Sequence, residues 1–240
     1  AQIKEFIVRK VAAIVLSPCD AKGIVPAIAE ANAAGIPVFT VDIPCLEPGA
    51  TIVSQVCTDN EGGGHMAAEA MIEALQGRGG KVAILHAKKF ESCRLRVKGF
   101  RDVLDKHNAT SEAKIVVVDE YDSNGAKDIG YKAASDALQA TPDLVGIFSI
   151  NDPAALGAYT AIEEAGKVGQ VVLVGFDGQP EGKQAIKEGK IYADPIQFPD
   201  QMGVRVVQAI VDHYAGRPPE PLQLIPTALY RKSDAERDLP

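Results

Sequence analysis

The chain has 240 residues, 46 % of them hydrophobic and 5 % aromatic, with no Trp and a formal net charge of −7 at pH 7. That acidic balance, without a basic stripe or run, cannot neutralise a phosphate backbone and argues against nucleic acid as a partner. No window approaches 18 unbroken apolar residues, so no membrane insertion is expected, and the length suffices for one large domain or two small ones.

The first ten residues, A-Q-I-K-E-F-I-V-R-K, are amphipathic and do not read as a signal peptide, so any export signal is expected to have been removed or never present. Ile3, Phe6 and Ile7 mark a first helix, followed by an apolar run at 13–17. A second helical stretch stops at Gly35, and strand-like runs follow at 37–41 and 52–56. Met66, Ala70, Met71, Ala74 and Leu75 fit one helix face, then a strand is expected at 81–85. Leu95, Phe100, Val103 and Leu104 mark the next helix, with strands at 113–118 and 144–150. Gly166 stops a helix ending I-E-E-A, and further strands are expected at 171–175 and 191–196. Strands alternating with helices imply an α/β fold of parallel sheets covered on both faces. No Pro/Gly/Ser-rich linker divides the chain, so two lobes require it to cross between them more than once.

Several runs end in short polar residues. V-V-L-V-G-F-D-G ends in Asp177, I-F-S-I-N-D in Asn151 and Asp152, P-V-F-T-V-D in Asp42, and A-I-V-L-S-P-C-D in Ser17 and Asp20. Open α/β sheets bind ligands beyond the carboxyl ends of their strands. Four strands delivering such groups to one rim suit a polar, uncharged ligand better than catalysis. Simpler roles compete: Asp177 as a helix cap, Asn151 or Asp152 as the cap of the helix near Pro153, Asp20 as the cap of a helix from about Gly23, and Arg96 as a solvated mid-helix charge.

Cys19, Cys45, Cys57 and Cys93 show no C-x-x-C spacing. A Cys19–Cys45 disulfide is conceivable, but buried or idle thiols are favoured. His65, His86, His107 and His213 are scattered, without H-E-x-x-H or a close His/carboxylate cluster, so no metal is expected. G-R-G-G-K at 77–81 precedes a strand instead of following one and reads as a turn. The glycines of E-G-G-G-H-M at 61–66 open a helix and suggest close packing.

The order F-I-V-R-K-V-A-A-I-V-L-S-P-C-D, G-I-P-V-F-T-V-D, C-T-D-N-E-G-G, R-L-R-V-K-G-F, F-S-I-N-D-P-A-A-L-G-A, V-G-F-D-G-Q-P-E and I-Q-F-P-D-Q-M-G covers nearly the whole chain. In that order it resembles the periplasmic sugar-binding proteins of the ribose-binding type, the type I receptors of ABC transporters. The resemblance implies two Rossmann-like lobes, one from 1–58 and 198–226, the other from 59–197 and 227–240. It implies capture of a neutral monosaccharide, most plausibly a pentose such as ribose, between them, and recognition by a membrane permease. Asp42 and Asp177 would accept hydrogen bonds from ligand hydroxyls, and Asn151 and Gln197 would bond hydroxyls or the ring oxygen. Arg96, with Arg94 nearby, would donate in forked fashion, Ser17 would stand where relatives often carry Asn, and Thr58 would mark the first crossover. No cofactor and no catalytic residue is implied.

Two departures stand out. Ile43 follows Asp42 where many ribose binders carry Arg, so the sugar is left open. A strand, a helix and a second strand that open the family's fold have no counterpart here, so the first lobe is expected to be incomplete, with an exposed parallel edge prone to self-association. Two other classes compete. An effector-binding domain of a LacI-type regulator would need a DNA-binding segment that this sequence lacks. An enzyme would need a nucleophile elbow, a G-x-G-x-x-G after a strand, or paired catalytic carboxylates, and none is recognised.

Overall fold

The computed structural model describes residues 1–20 and 22–240. The elements run α1 (Gln2–Val8), β1 (Ile14–Leu16), α2 (Val25–Ala33), β2 (Val38–Asp42), β3 (Ser54–Thr58), α3 (Asn60–Leu75), β4 (Gly80–His86), α4 (Glu91–Thr110), β5 (Ile115–Asp122) and α5 (Lys127–Ala140). They continue with β6 (Leu144–Ser149), α6 (Asp152–Glu164), β7 (Val172–Val174), α7 (Pro180–Lys187), β8 (Ala193–Ile196), α8 (Pro199–Tyr214), β9 (Leu222–Ile225), β10 (Ala228–Arg231) and α9 (Lys232–Asp238). Pro153, Pro180 and Pro199 stand in the first turns of their helices, where a missing N–H costs nothing. Gly35 and Gly166 close α2 and α6 at φ of 75° and 65°, a left-handed backbone that suits glycine.

The chain forms two compact units. The smaller comprises Ala1–Asp59, Lys89–Ser92 and Phe198–Pro226. Its sheet has the order β1-β2-β3-β9, every pair parallel. Alternation along β2 decides what covers it. Val38 points into a cluster with Ile3, Ile14, Ile28 and Ala31 of α1, β1 and α2, while Phe39 points into one with Met202, Val206 and Ala209 of α8. β1 is an edge strand, and Val15 on it is exposed.

The larger unit comprises Asn60–Lys88, Cys93–Gln197 and Thr227–Pro240. Its main sheet, β5-β4-β6-β7, is parallel throughout. Phe100 and Phe148 stack at 4.5 Å between ring centroids, both fully buried, each side chain contributing about 2–3 kcal/mol by leaving water. The glycines read from E-G-G-G-H-M do serve close packing. A Cβ on Gly64 would run into the Arg96 carbonyl and lie 2.9 Å from the Phe100 nitrogen, so α3 meets α4 backbone to backbone.

β8 is the exception to all-parallel pairing, running antiparallel to β10. β10 follows a strand, not a helix, so the crossover geometry that enforces parallel neighbours does not bind it. Both β9 and β10 fall outside the eight apolar runs, being only four residues long with exposed Leu222 and Leu224. A single parallel bridge, Asp177 to Ile196, ties β8 to the loop after β7.

Candidate binding site

In the larger unit β7 stops at Val174, and the chain turns through Gly175, Phe176 and Asp177. The turn is pinned to β8 on both sides: Gly175 N donates to Ala193 O at 3.2 Å, Asp177 N to Pro195 O at 3.1 Å, and Gln197 N to Asp177 O at 2.9 Å. Asp177 sits at φ 108°, a conformation costing a non-glycine residue on the order of 1–3 kcal/mol that these bonds must hold. Such strain aims its carboxylate.

The carboxylate meets Arg96. Nη1 of Arg96 donates to Asp177 Oδ1 at 2.8 Å and to Ile150 O at 2.6 Å, while Nε donates to Asn60 Oδ1 at 2.8 Å. Its guanidinium lies 3.7 Å over the Phe176 ring, a cation–π contact. The pair is nearly dry, with side-chain exposures of 5 % for Arg96 and 13 % for Asp177. A mid-helix Arg is ordinarily solvated; this one is buried where α4 meets α3 backbone to backbone. Gln197 Nε2 donates to Asp177 Oδ1 at 2.6 Å, and Gln179 Nε2 approaches Oδ2 at 3.4 Å. Burial pushes the Asp177 carboxyl above its ordinary range, and the Arg96 charge opposes that rise. The N-cap of α7 is Gln179, so the capping alternative for Asp177 does not hold.

Arg96, Asp177 and Gln197 thus come together as one cluster. Asn151 is engaged in structure. Its Oδ1 accepts from Ala154 N at 3.2 Å, capping α6, and its Nδ2 donates to Gly125 O at 2.9 Å. Of the two candidate caps, Asn151 fills the role, because Asp152 is already the first helical residue. Arg94 donates to Lys88 O at 2.9 Å and anchors the turn before α4.

In the smaller unit Ser17 Oγ donates to Asp42 Oδ2 at 3.4 Å. Asp42, at φ 68°, ends β2 in the left-handed region that Asp tolerates better than most residues. Thr58 ends β3 and is buried. Asp20 accepts from the backbone of Lys22 and Gly23 at 3.0 and 2.9 Å, capping the turn that precedes α2. Among the described residues no disulfide joins Cys19 to Cys45. Cys19 is exposed and Cys45 buried.

Contact makers that the sequence left unmarked are Asn60, Phe176 and Gln179. Phe176 adjoins Asp177 in G-F-D-G and was findable; Asn60, inside C-T-D-N-E-G-G, carried no signal of a side-chain partner on α4. The fold also makes a His/carboxylate cluster that sequence spacing did not reveal. Glu61 and His65, one turn apart on α3, meet Asp102 of α4 with ligand atoms within 4.8 Å of one another. Lys98 Nζ already bridges its carboxylates, at 2.5 Å from Glu61 and 2.9 Å from Asp102, so a cation occupies the place from within the chain.

The comparisons agree with this architecture. The periplasmic binding protein domain family matches residues 1–218, and the chain belongs to that family. The ribose import binding protein RbsB of Salmonella typhimurium is 34 % identical over 209 residues, covering 87 % of this chain and 67 % of the relative. An ABC transporter solute-binding protein of Agrobacterium vitis, solved with D-fucose, superposes with a TM-score of 0.87 at 32 % identity over 99 % of this chain and 80 % of its own. A solute-binding protein of Actinobacillus succinogenes with D-allose gives 0.88 at 26 % identity, covering 98 % and 82 %. Membership places the chain in the periplasmic or equivalent extracytoplasmic space. No helix among the described residues is long and apolar enough to cross a membrane.

Proposed function

We propose that this chain is a sugar-binding component of an ABC transporter, holding a neutral monosaccharide at the Arg96–Asp177–Gln197 cluster without chemistry of its own. The observation that carries the reading is the strained, nearly dry Asp177 carboxylate braced by Arg96. A sugar hydroxyl both donates and accepts, so a carboxylate flanked by guanidinium and amide donors satisfies it in both senses. Oδ2 of Asp177, whose contact with Gln179 is long at 3.4 Å, retains capacity to accept. Asp42 with Ser17 presents a similar acceptor and hydroxyl in the smaller unit.

The named relatives bind ribose, D-fucose and D-allose, so the sugar is the open part of the proposal. A ribose-like pentose is the first candidate because the ribose import proteins recur among the curated relatives. A thermal-shift and calorimetric screen of pentoses, hexoses and polyols tests it. The expected result is a clear rise in Tm with one or a few of these sugars, as ligand binding to the folded state requires. No shift with any neutral sugar or polyol would overturn it.

A further inference from the structure

Behind the Asp177 loop lies a pair of acids that ligand contact does not account for. Asp152, the first residue of α6, and Asp194, in the middle of β8, are 1 % and 0 % exposed. Their carboxyl groups face the same space beside Gly175, where one added Cβ would meet Asp194 Oδ1 and Asp152 Oδ1 alike. As two carboxylates they would leave Asp152 Oδ1 and both Asp194 oxygens buried without a donor. Two acceptors cannot bond; a single proton between them makes one a donor and gives two of these three oxygens a partner. The chain makes room for the pair. A Cβ on Gly175 would strike Asp194 Oδ1 and lie 3.4 Å from Asp152 Oδ1, and a Cβ on Gly182 would fall on the Asp152 carboxyl.

The pair brackets the loop that bears Asp177. Asp152 Oδ2 accepts from Gln179 N at 2.6 Å, on the far side of Asp177. Asp194 lies between Ala193 and Pro195, whose carbonyls accept from Gly175 N and Asp177 N. We infer that Asp152 and Asp194 share one proton at neutral pH and act as a latch that positions the Gly175–Gln179 loop, and with it Asp177. The link to sugar affinity rests on the function proposed above; the latch itself does not.

The groups that face the pair explain why the proton stays. Asp177 adds a like charge from the β7–α7 loop, and the Arg96 charge from α4 is already committed to Asp177. Tyr230 of β10 is the cross-strand neighbour of Asp194; its buried hydroxyl has no hydrogen-bond partner, and burial, then Asp238 and Asp234 of α9, raise it above the usual phenol range. On α3, Glu73 bonds Tyr192, just before β8, and Arg231, at the end of β10. Burial, then the neighbouring charges, hold Asp194 well above the usual carboxylate range and bring Asp152 to about 6. Because the folded state binds the proton more tightly than the unfolded chain, the pair's contribution is fully present at acid pH and lost as pH rises through the folded values.

The test compares wild type with Asp194→Asn, whose amide can still donate to Asp152 without a proton to lose. Without ligand, the wild-type unfolding constant should climb by up to about tenfold per pH unit more than that of the variant between about pH 5 and 7. In 15N–1H spectra the amides of Gly175–Gln179 should titrate together in wild type and lose that step in the variant. Other titrating groups, such as the buried His86, cancel in the difference. Parallel stability profiles, or loop amides that titrate alike in both proteins, would overturn the latch. Should Asp194→Asn fail to fold, the carboxyl 13C shifts of Asp152 and Asp194 in wild type decide: one proton held between them at about pH 7 supports the latch, and both carboxyls ionised overturns it. Where a sugar binds, wild-type affinity should fall on the alkaline side and the variant's should not. Absence of sugar binding counts against the function, while the ligand-free readouts still judge the latch.

Discussion

Replacing Arg96 by Met should destabilise the larger unit by about 3–5 kcal/mol, the ordinary cost of removing one partner from a buried ion pair. The side chain volumes are similar, so the loss is electrostatic rather than a cavity. It removes the three donations that Asp177 Oδ1, Asn60 Oδ1 and the Ile150 carbonyl take from this one guanidinium, and leaves the Asp177 charge to the Gln197 and Gln179 amides. The deficit should depend on pH. Without Arg96, the largest influence opposing burial is gone, and the Asp177 carboxyl rises further. The variant therefore regains stability as pH falls and the acid protonates, so the gap is widest at neutral pH and above. Adding Asp177→Asn should recover part of it. Urea unfolding of the three proteins measures these quantities, and an Arg96→Met protein within about 1 kcal/mol of wild type would show that the pair is solvated.

Asp177→Ala should weaken sugar binding about a hundredfold or more. A hydrogen bond to a charged acceptor contributes about 1.5–3 kcal/mol, and each 1.4 kcal/mol is a factor of ten. The substitution also releases Arg96 and Gln197, which are oriented through the same oxygen, so their donors lose direction as well. In contrast, Arg94→Ala should change affinity little, since Arg94 is committed to Lys88 O. Calorimetry with the tightest sugar from the screen checks both. Equal affinity for wild type and Asp177→Ala would remove Asp177 from the binding residues.

Much of this was legible because period and punctuation carry it. The apolar runs that became β4, β6 and β7 are bounded by glycine and polar residues, and the parallel α/β class follows from their alternation with helices. Most strand ends shifted by a residue or two, as β2 did to include Asp42, and β5 ran four residues past its apolar run to Asp122, because strand ends are set by hydrogen bonds to neighbours and not by hydropathy. β10 was illegible as an antiparallel partner of β8: four residues, A-L-Y-R, carry no period that fixes direction. At the site, Asp177 stood out by its place after a strand, whereas Asp194 gave no signal. It lies inside a strand, between Ala193 and Pro195, where sequence offers no hint that α6 will bring another acid against it. The Glu61–His65–Asp102 cluster was hidden for the same reason, two helices supplying what one spacing could not.

The central claim is that Asp177, held by Arg96, takes a sugar hydroxyl. A crystal structure of the chain grown with the tightest-binding sugar tests it most directly. The account predicts a ligand hydroxyl about 2.5–3.0 Å from an Asp177 carboxylate oxygen, with Arg96 still paired to that carboxylate. A sugar bound elsewhere, with Asp177 touching only Arg96, Gln179 and Gln197, would contradict it.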